Sequence, residues 1–300
     1  MRFAAPLSAP DELLPLREAG ADEIYFGLLE DAWRARFGGH DSVSRRQGAA
    51  NLRTRDELKR LALLCRETET PAYLALNGRC TPDMTPYLLE LCGVWSDLGG
   101  TGVILRDLAL ASALKERKLP LKVTASLLSV TVNADGVRFL RAFGVSRVVL
   151  PRFLTPEEMV RIASACPETE FEVMLFGDRC PMIDGFCRGY HGETFVPAPA
   201  GTEPLRDMAC FDPSGCSGHL CAGIPREPDP CAACLMPFFD AAGITVGKLG
   251  GRGTPPEDRL RALRFLRAAR NGEDVPDRLY RTAFGHACSC YYPGKGGIGR

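Results

Sequence analysis

Seven of the chain's thirteen cysteines fall between Phe171 and Cys234: Cys180, Cys187, Cys210, Cys216, Cys221, Cys231 and Cys234. The run Phe171-Glu-Val-Met-Leu-Phe-Gly177 has strand character and leads into Cys180, after which helical and strand periodicity nearly vanish. A structureless stretch of this length inside a domain implies that something besides a hydrophobic core orders it. Thiolates closing on a metal ion or an iron–sulfur cluster would do so, because each ligand bond ties loop to scaffold. Cys180-x6-Cys187 and Cys231-x2-Cys234 read as two halves of a four-thiolate site. Zinc and a 4Fe-4S cluster both take such a quartet. Zinc sites more often show two short C-x2-C knuckles, and here the first pair is wider, which favours iron–sulfur with zinc as the alternative.

The remaining cysteines divide by their neighbours. Cys65, Cys92 and Cys166 sit in helical patterns among apolar residues and are expected in the core. Cys80 follows a strand and is a reserve ligand. Cys288 and Cys290, in Gly285-His-Ala-Cys-Ser-Cys290, are expected as exposed tail thiols, with a second metal site as the other reading. Clustered cysteines in a reducing compartment are more often ligands than disulfides. The compartment is expected to be the cytoplasm. Pro6, Pro10 and Asp11 interrupt any secretory h-region, and no apolar run approaches a membrane span.

The elements that must position these thiols alternate between β-rich runs and helical patterns. Strands are predicted at Arg2–Ala5, Glu23–Gly27, Pro71–Asn77, Gly102–Leu105, Leu121–Ser126, Arg147–Leu150, Glu172–Phe176 and Ile244–Lys248. Helix starts are signalled at Ser8-Ala-Pro-Asp11, Thr54-Arg-Asp-Glu57, Thr81-Pro-Asp83, Thr155-Pro-Glu-Glu158 and Thr254-Pro-Pro-Glu257. Another helix is read around Leu108–Lys118, whereas Leu28–Asn51 reads as a long polar loop. Eight strands in this alternation describe an α/β fold, a (β/α)8 TIM-type barrel, better than an open doubly wound sheet. The barrel is expected over residues 1–272, with the cysteine-rich metal loop at 178–234 and a C-terminal tail at 273–300.

Such barrels place their chemistry at the C-terminal ends of the strands. Asn77, Arg152, Lys248 and Arg252 are therefore the candidate substrate-binding residues, sharing a mouth with the cysteine loop. Gly250-Gly-Arg-Gly253 before a capped helix suits a carboxylate or phosphate. No residue is singled out as catalytic: H-E-x-x-H and G-x-S-x-G are both missing. Thirty-seven basic residues balance 37 acidic ones, so no long-range pull on nucleic acid or an acidic membrane is built in.

Several stretches together resemble the collagenase-like peptidase family (peptidase family U32): Gly20–Gly27, Val148–Arg152, Glu172–Gly177 with Cys180-x6-Cys187, and Gly243–Arg252. The resemblance implies a barrel fold. It also implies, as in several members, a 4Fe-4S cluster on four cysteines used in oxygen-independent hydroxylation of the ubiquinone ring or of RNA bases. Carried onto this chain, Cys180 and Cys187 match the first two ligands and Cys234 resembles the fourth. Cys210 keeps the third spacing best, with Cys216 and Cys221 as alternatives. Three positions depart from the family pattern: Phe176 stands where His is frequent, Arg152-Phe-Leu154 replaces R-E-L, and Lys248-Leu-Gly-Gly-Arg252 replaces K-I-E-G-R. The expected function is oxygen-independent hydroxylation or redox modification of a small molecule or RNA, with a protein partner subunit conceivable. The alternatives are a metal-stapled accessory protein without catalysis and a peptidase.

Overall fold

Eight parallel strands close on themselves in sequence order, β1-β2-β3-β4-β5-β6-β7-β8, with β8 paired back to β1. The computed structural model describes residues 1–37, 43–44, 46, 48–78, 80–177, 185 and 230–292. The strands are β1 Arg2–Pro6, β2 Glu23–Phe26, β3 Ala72–Leu76, β4 Gly102–Leu105, β5 Lys122–Ala125, β6 Val145–Val149, β7 Glu170–Phe176 and β8 Val246–Leu249. Each predicted strand is present, with ends moved by up to two residues. The (β/α)8 barrel is the fold.

Helices cover the outside: α1 Leu13–Ala19, α2 Asp31–Phe37, α3 Arg55–Glu67, α4 Thr85–Asp97, α5 Leu108–Arg117, α6 Ala134–Ala142, α7 Pro156–Ser164, α8 Met236–Ala241, α9 Pro256–Arg270 and α10 Pro276–Phe284. Capping fixes several of their starts. Thr54 accepts from the Glu57 N–H at 3.1 Å. Thr155 and Glu158 form a reciprocal capping box, and Asp107 and Asn133 cap α5 and α6. Three predicted starts are corrected, the first because α4 begins at Thr85 behind Met84 and not at Thr81-Pro-Asp83. Thr254 instead donates to the Gly251 carbonyl, leaving Pro255 at the N-cap. Ser8 cedes the first turn to a 3-10 segment from Pro10.

Alternation along the strands sorts side chains to two sides. Phe3, Ala5, Ile24, Phe26, Phe171, Val173 and Leu175 join the apolar layer under the helices, whereas Tyr25, Tyr73 and Ile104 cluster separately inside the barrel. Below them lies a buried charge network. Arg147 binds Glu23, Glu170 and Glu172 and donates to the Tyr73 hydroxyl at 3.0 Å. Lys248 binds Glu172 at 2.5 Å and lies over the Tyr25 ring. Burial alone would raise the Glu172 carboxyl, but the Lys248 and Arg147 charges outweigh it and hold it below the usual carboxylate range.

Residues 273–292 are not a loose tail. Helix α10 packs on α9 through Phe265, Tyr280 and Phe284. Beyond it, Tyr291 and Tyr292 are fully buried, and the Tyr292 hydroxyl donates to the Met174 carbonyl of β7 at 2.7 Å. Among the described residues no helix is long and apolar enough to cross a membrane.

The network yields two expectations. Arg147→Met strands three acidic partners and should cost about 3–5 kcal/mol, read from urea unfolding. Because the Glu172 carboxyl is held low, its contribution is fully present above the ordinary carboxylate pKa of about 4.3 and is lost as pH falls through its depressed value. Acid unfolding of Glu172→Gln should accordingly show a shallower slope below that pH than the parent, whereas an unchanged slope would remove Glu172 from the acid response.

Candidate functional site

The C-terminal mouth of the barrel collects the polar residues expected there. Asn77 follows β3 and donates from Nδ2 to Ser126 Oγ after β5 at 3.3 Å; its Oδ1 is buried without a hydrogen-bond partner. Arg152 follows β6 and is half-buried, near enough for its charge to act on the Tyr292 hydroxyl. Arg252 is buried, turned inward to donate to the Ser44 carbonyl at 2.8 Å. Beside it Ser44 Oγ donates to Asn51 Oδ1 at 2.5 Å, and Asn51 Nδ2 donates to the Arg46 carbonyl. These groups converge on Gly27 at the end of β2, where an added Cβ would overlap Asn51 Oδ1 and crowd Ser44 Oγ and the Arg252 guanidinium. Gly27 is what lets the polar cup form.

Lys248 is placed differently from expectation. It lies within β8 rather than after it, and its ammonium is engaged by Glu172 below the mouth. The strand runs to Leu249, one residue beyond the predicted end, and this keeps Lys248 at an inward register position.

The cysteine segment begins and ends at one point. Gly177, just past β7, donates its N–H to the Pro230 carbonyl at 3.0 Å, and Ala232 donates to the Leu175 carbonyl at 2.8 Å. The chain therefore leaves β7 and returns to it over residues 178–229. Cys180, Cys187, Cys210, Cys216 and Cys221 lie outside the described residues. Between the first two, Gly185 is described: it has φ +82°, and an added Cβ there would overlap Val130 Cγ2 and the Leu128 carbonyl oxygen. Val130 itself, β-branched, is held at φ 51°, a strained conformation that surrounding structure must enforce. Gly185 thus lies against the turn after β5.

Cys231 and Cys234 are described, and both stand near thiols that the sequence left in a tail. Cys231 is buried, bridges Phe176 on one side and Cys290 on the other, and accepts the Ala233 N–H at 3.2 Å on its sulfur. Its own burial, then the neighbouring Cys288 thiol, push its thiol up, while the Cys231 thiol draws Cys288 down. Cys234 is exposed, and burial of part of its surroundings together with the Cys290 and Cys288 thiols raises it. The expectation of exposed tail thiols is corrected: Cys288 and Cys290 are half-buried, because Cys290 bridges Cys231 and Tyr292 is anchored to the Met174 carbonyl of β7. Among the described residues no three His, Cys, Asp or Glu side chains already stand in a metal-holding arrangement. Cys65, Cys92 and Cys166 are buried core residues as read, and Cys80 rests against Thr85.

Sequence reasoning missed the Arg147–Glu172 network and the meeting of C-x2-C with C-x-C. The signals were available: charged residues at inward positions of β6 and β7, and two close cysteine pairs near the chain's end.

Comparison with known proteins places these features in context. Residues 9–192 match the family described as peptidase family U32. A tRNA hydroxylation protein P of Escherichia coli is 29% identical over 91 residues, 30% of this chain and 20% of that protein. A collagenase of Porphyromonas gingivalis is 23% identical over 193 residues, 61% of this chain and 43% of its own length. The chain therefore spans between about a fifth and under half of the curated relatives it matches. A solved U32 peptidase structure superposes with a TM-score of 0.53 at 14% identity, covering 85% of this chain and 94% of that one, a likeness of fold.

One substitution probes the cup directly. Gly27→Ala should lower stability by about 1–3 kcal/mol through overpacking, read as a fall in melting temperature. A variant as stable as the parent would show that Asn51, Ser44 and Arg252 are free to withdraw.

Proposed function

The chain belongs to peptidase family U32, and on that premise we propose that it is an iron–sulfur protein acting in oxygen-independent hydroxylation, with an RNA base as the favoured substrate class and a small aromatic molecule as the alternative. The observation that carries the reading is the pinned stem at Gly177 and Pro230. It joins both ends of a segment bearing five cysteines to the C-terminal end of β7, and Gly185 inside that segment lies against the turn after β5. Both anchoring points of the cysteine segment, Gly177 and Pro230, thereby stand at the C-terminal end of the barrel.

The donor chemistry fits. Cysteine sulfurs are the soft ligands a 4Fe-4S cluster takes, and Cys231 at the foot of the stem already accepts a backbone N–H on sulfur. Cys180, Cys187 and Cys234 would hold the cluster together with Cys210, or with Cys216 or Cys221 in its place. When bound, it supplies electron transfer or Lewis acidity without oxygen.

The chain's own residues would bind and orient. Arg252, backed by Ser44 and Asn51 next to Gly27, offers a guanidinium to a phosphate or carboxylate. Asn77 Oδ1, held by the Nδ2 contact to Ser126, would accept from a base's amino or imide N–H. Arg152 adds a second positive charge across the mouth. Lys248 is kept as a positioning charge that fixes Glu172 and the floor beneath the site. The similarity to a tRNA hydroxylation protein favours RNA over other substrates. The similarity to a collagenase favours the second reading, peptide hydrolysis.

Anaerobically purified protein should carry iron and acid-labile sulfide, and Cys180→Ser or Cys187→Ser should lose most of both. Cys92→Ser, buried in α4, should retain them at a folding cost of roughly 1–3 kcal/mol. Mass spectrometry of RNA from cells lacking the protein should show loss of a hydroxylated base, restored by the parent chain but not by Asn77→Ala or Arg252→Ala. Iron-free protein that cleaves denatured collagen would overturn the assignment in favour of proteolysis.

A further inference from the structure

Thirty-seven basic and 37 acidic residues cancel over the whole chain, so a local excess of charge comes from where they sit. One such excess lies on the rim of the mouth, between β2 and α3. Helix α2 is seated there by Trp33 and Phe37, whose rings lie 5.3 and 6.1 Å from that of Tyr87 in the first turn of α4. Glu30 ties the same corner together, accepting from the Tyr87 hydroxyl and pairing with Arg55 at 3.0 Å. The chain then returns to the end of β2, where Leu52 donates its N–H to the Gly27 carbonyl at 2.8 Å and bridges Leu28. Arg53 follows directly.

Arg34, Arg36 and Arg53 are exposed on this rim, and among the described residues none of the three guanidinium groups has an acidic partner. The nearby acids are engaged elsewhere: Glu30 by Arg55, Asp56 by Lys59 at 3.0 Å, and Glu57 by the Arg53 N–H at 2.6 Å. Among the described residues, Asp31 at the start of α2 is the acid that remains. The Arg36 guanidinium lies over the Phe37 ring at 5.0 Å. Complementing the helix end accounts for Arg34 and Arg36, in the last turn of α2. It does not account for Arg53, which precedes the N-cap Thr54 of α3, where the helix dipole disfavours a cation.

We propose that Arg34, Arg36 and Arg53 form a docking surface for the phosphate backbone of a single-stranded RNA segment, an inference that rests on the RNA reading above. Guanidinium groups offer paired N–H donors to phosphate oxygens, and such contacts position a nucleic acid without reading its sequence. Inward from the rim, Arg252 beside Gly27 continues the positive path. Val43 accepts the Gly78 N–H at 2.8 Å, so this segment reaches across to the end of β3, where Asn77 holds its unpartnered Oδ1. A backbone laid on the β2 side therefore leaves a base free to turn in over β3. Among the described residues, no exposed large apolar side chain lies on α2 or at 43–53, so the rim lacks the apolar face that anchors a helix lying on a membrane.

Fluorescence anisotropy of the full, anaerobically purified chain with a labelled single-stranded RNA of mixed sequence tests the surface. Arg34→Gln/Arg36→Gln/Arg53→Gln should weaken binding at least about tenfold and lower the slope of log affinity against log salt by about 2, at roughly 0.7 per phosphate contact. The single Arg53→Gln, outside any helix, should lower the slope by about 0.7 without touching α2. Arg117→Gln/Lys118→Gln/Lys122→Gln removes the same charge at the opposite end of the barrel, where α5 ends and β5 begins, and should bind as the parent does. Iron content and melting temperature should match the parent's throughout. Equal weakening in the two triple variants, or none in either, would overturn the docking surface and leave the substrate reading standing on its own test. Weakening in the rim variants alone, with RNA modification unaltered in cells lacking the protein, would sink the substrate reading and leave the surface standing. A parent chain that ignores the RNA and binds phosphatidylserine vesicles would overturn the proposal.

Discussion

Everything at the mouth of the barrel rests on a carboxylate buried beneath it. Glu172 sits between Arg147 of β6 and Lys248 of β8, and Arg147 reaches on to Glu23 of β2. These bonds run across the barrel interior, so they set how β6, β7 and β8 lie with respect to β2 independently of the backbone ladder. Charges of this kind are costly to bury and tolerable only when each is paired. Here each has a named partner, and Tyr25 and Tyr73 close the space above with their rings against Lys248 and Arg147. The arrangement constrains register more than it adds stability: a one-residue slip of β7 would turn Glu172 toward the apolar layer beneath the helices.

Fixing β7 fixes what leaves it. Its last residue, Phe176, stacks on Phe284 and pairs with Cys231, and its Met174 carbonyl receives Tyr292. Three separate parts of the chain therefore meet at one strand end: the exit toward Cys180, the return at Pro230 and the C-terminal segment. The family to which the chain belongs is shown over residues 9–192, which end inside the cysteine segment. The return at Pro230 and the terminal thiols lie beyond that match, so their arrangement is argued from this chain alone.

The barrel was legible because each strand is a short β-branched or aromatic run bounded by turn residues, as Gly102-Val-Ile-Leu105 illustrates. Four helices were not. Helix α2 is a short amphipathic piece whose only buried residue is Trp33, and arginine-rich sequence masked it. Helix α6 contains Gly136 and buries only Val137 and Leu140. Helices α8 and α10 are short and take their stability from aromatic packing, Phe239 on Tyr292 and Tyr280 on Phe265, which no local pattern reveals. The placement of Asn77, Arg152 and Arg252 just after their strands was legible in the sequence. Lys248 was misread because its role depends on Glu172, 76 residues away. Cys288 and Cys290 were misread because a segment pinned by long-range backbone bridges looks, in sequence, like any polar terminus.

The central claim is that the cysteine segment brings an iron–sulfur cluster to the barrel mouth. Low-temperature electron paramagnetic resonance of the anaerobically purified, dithionite-reduced chain tests it most directly. The account predicts the signal of a reduced 4Fe-4S cluster, accompanied by iron and sulfide in equal amounts. A silent sample containing zinc and no iron would contradict it.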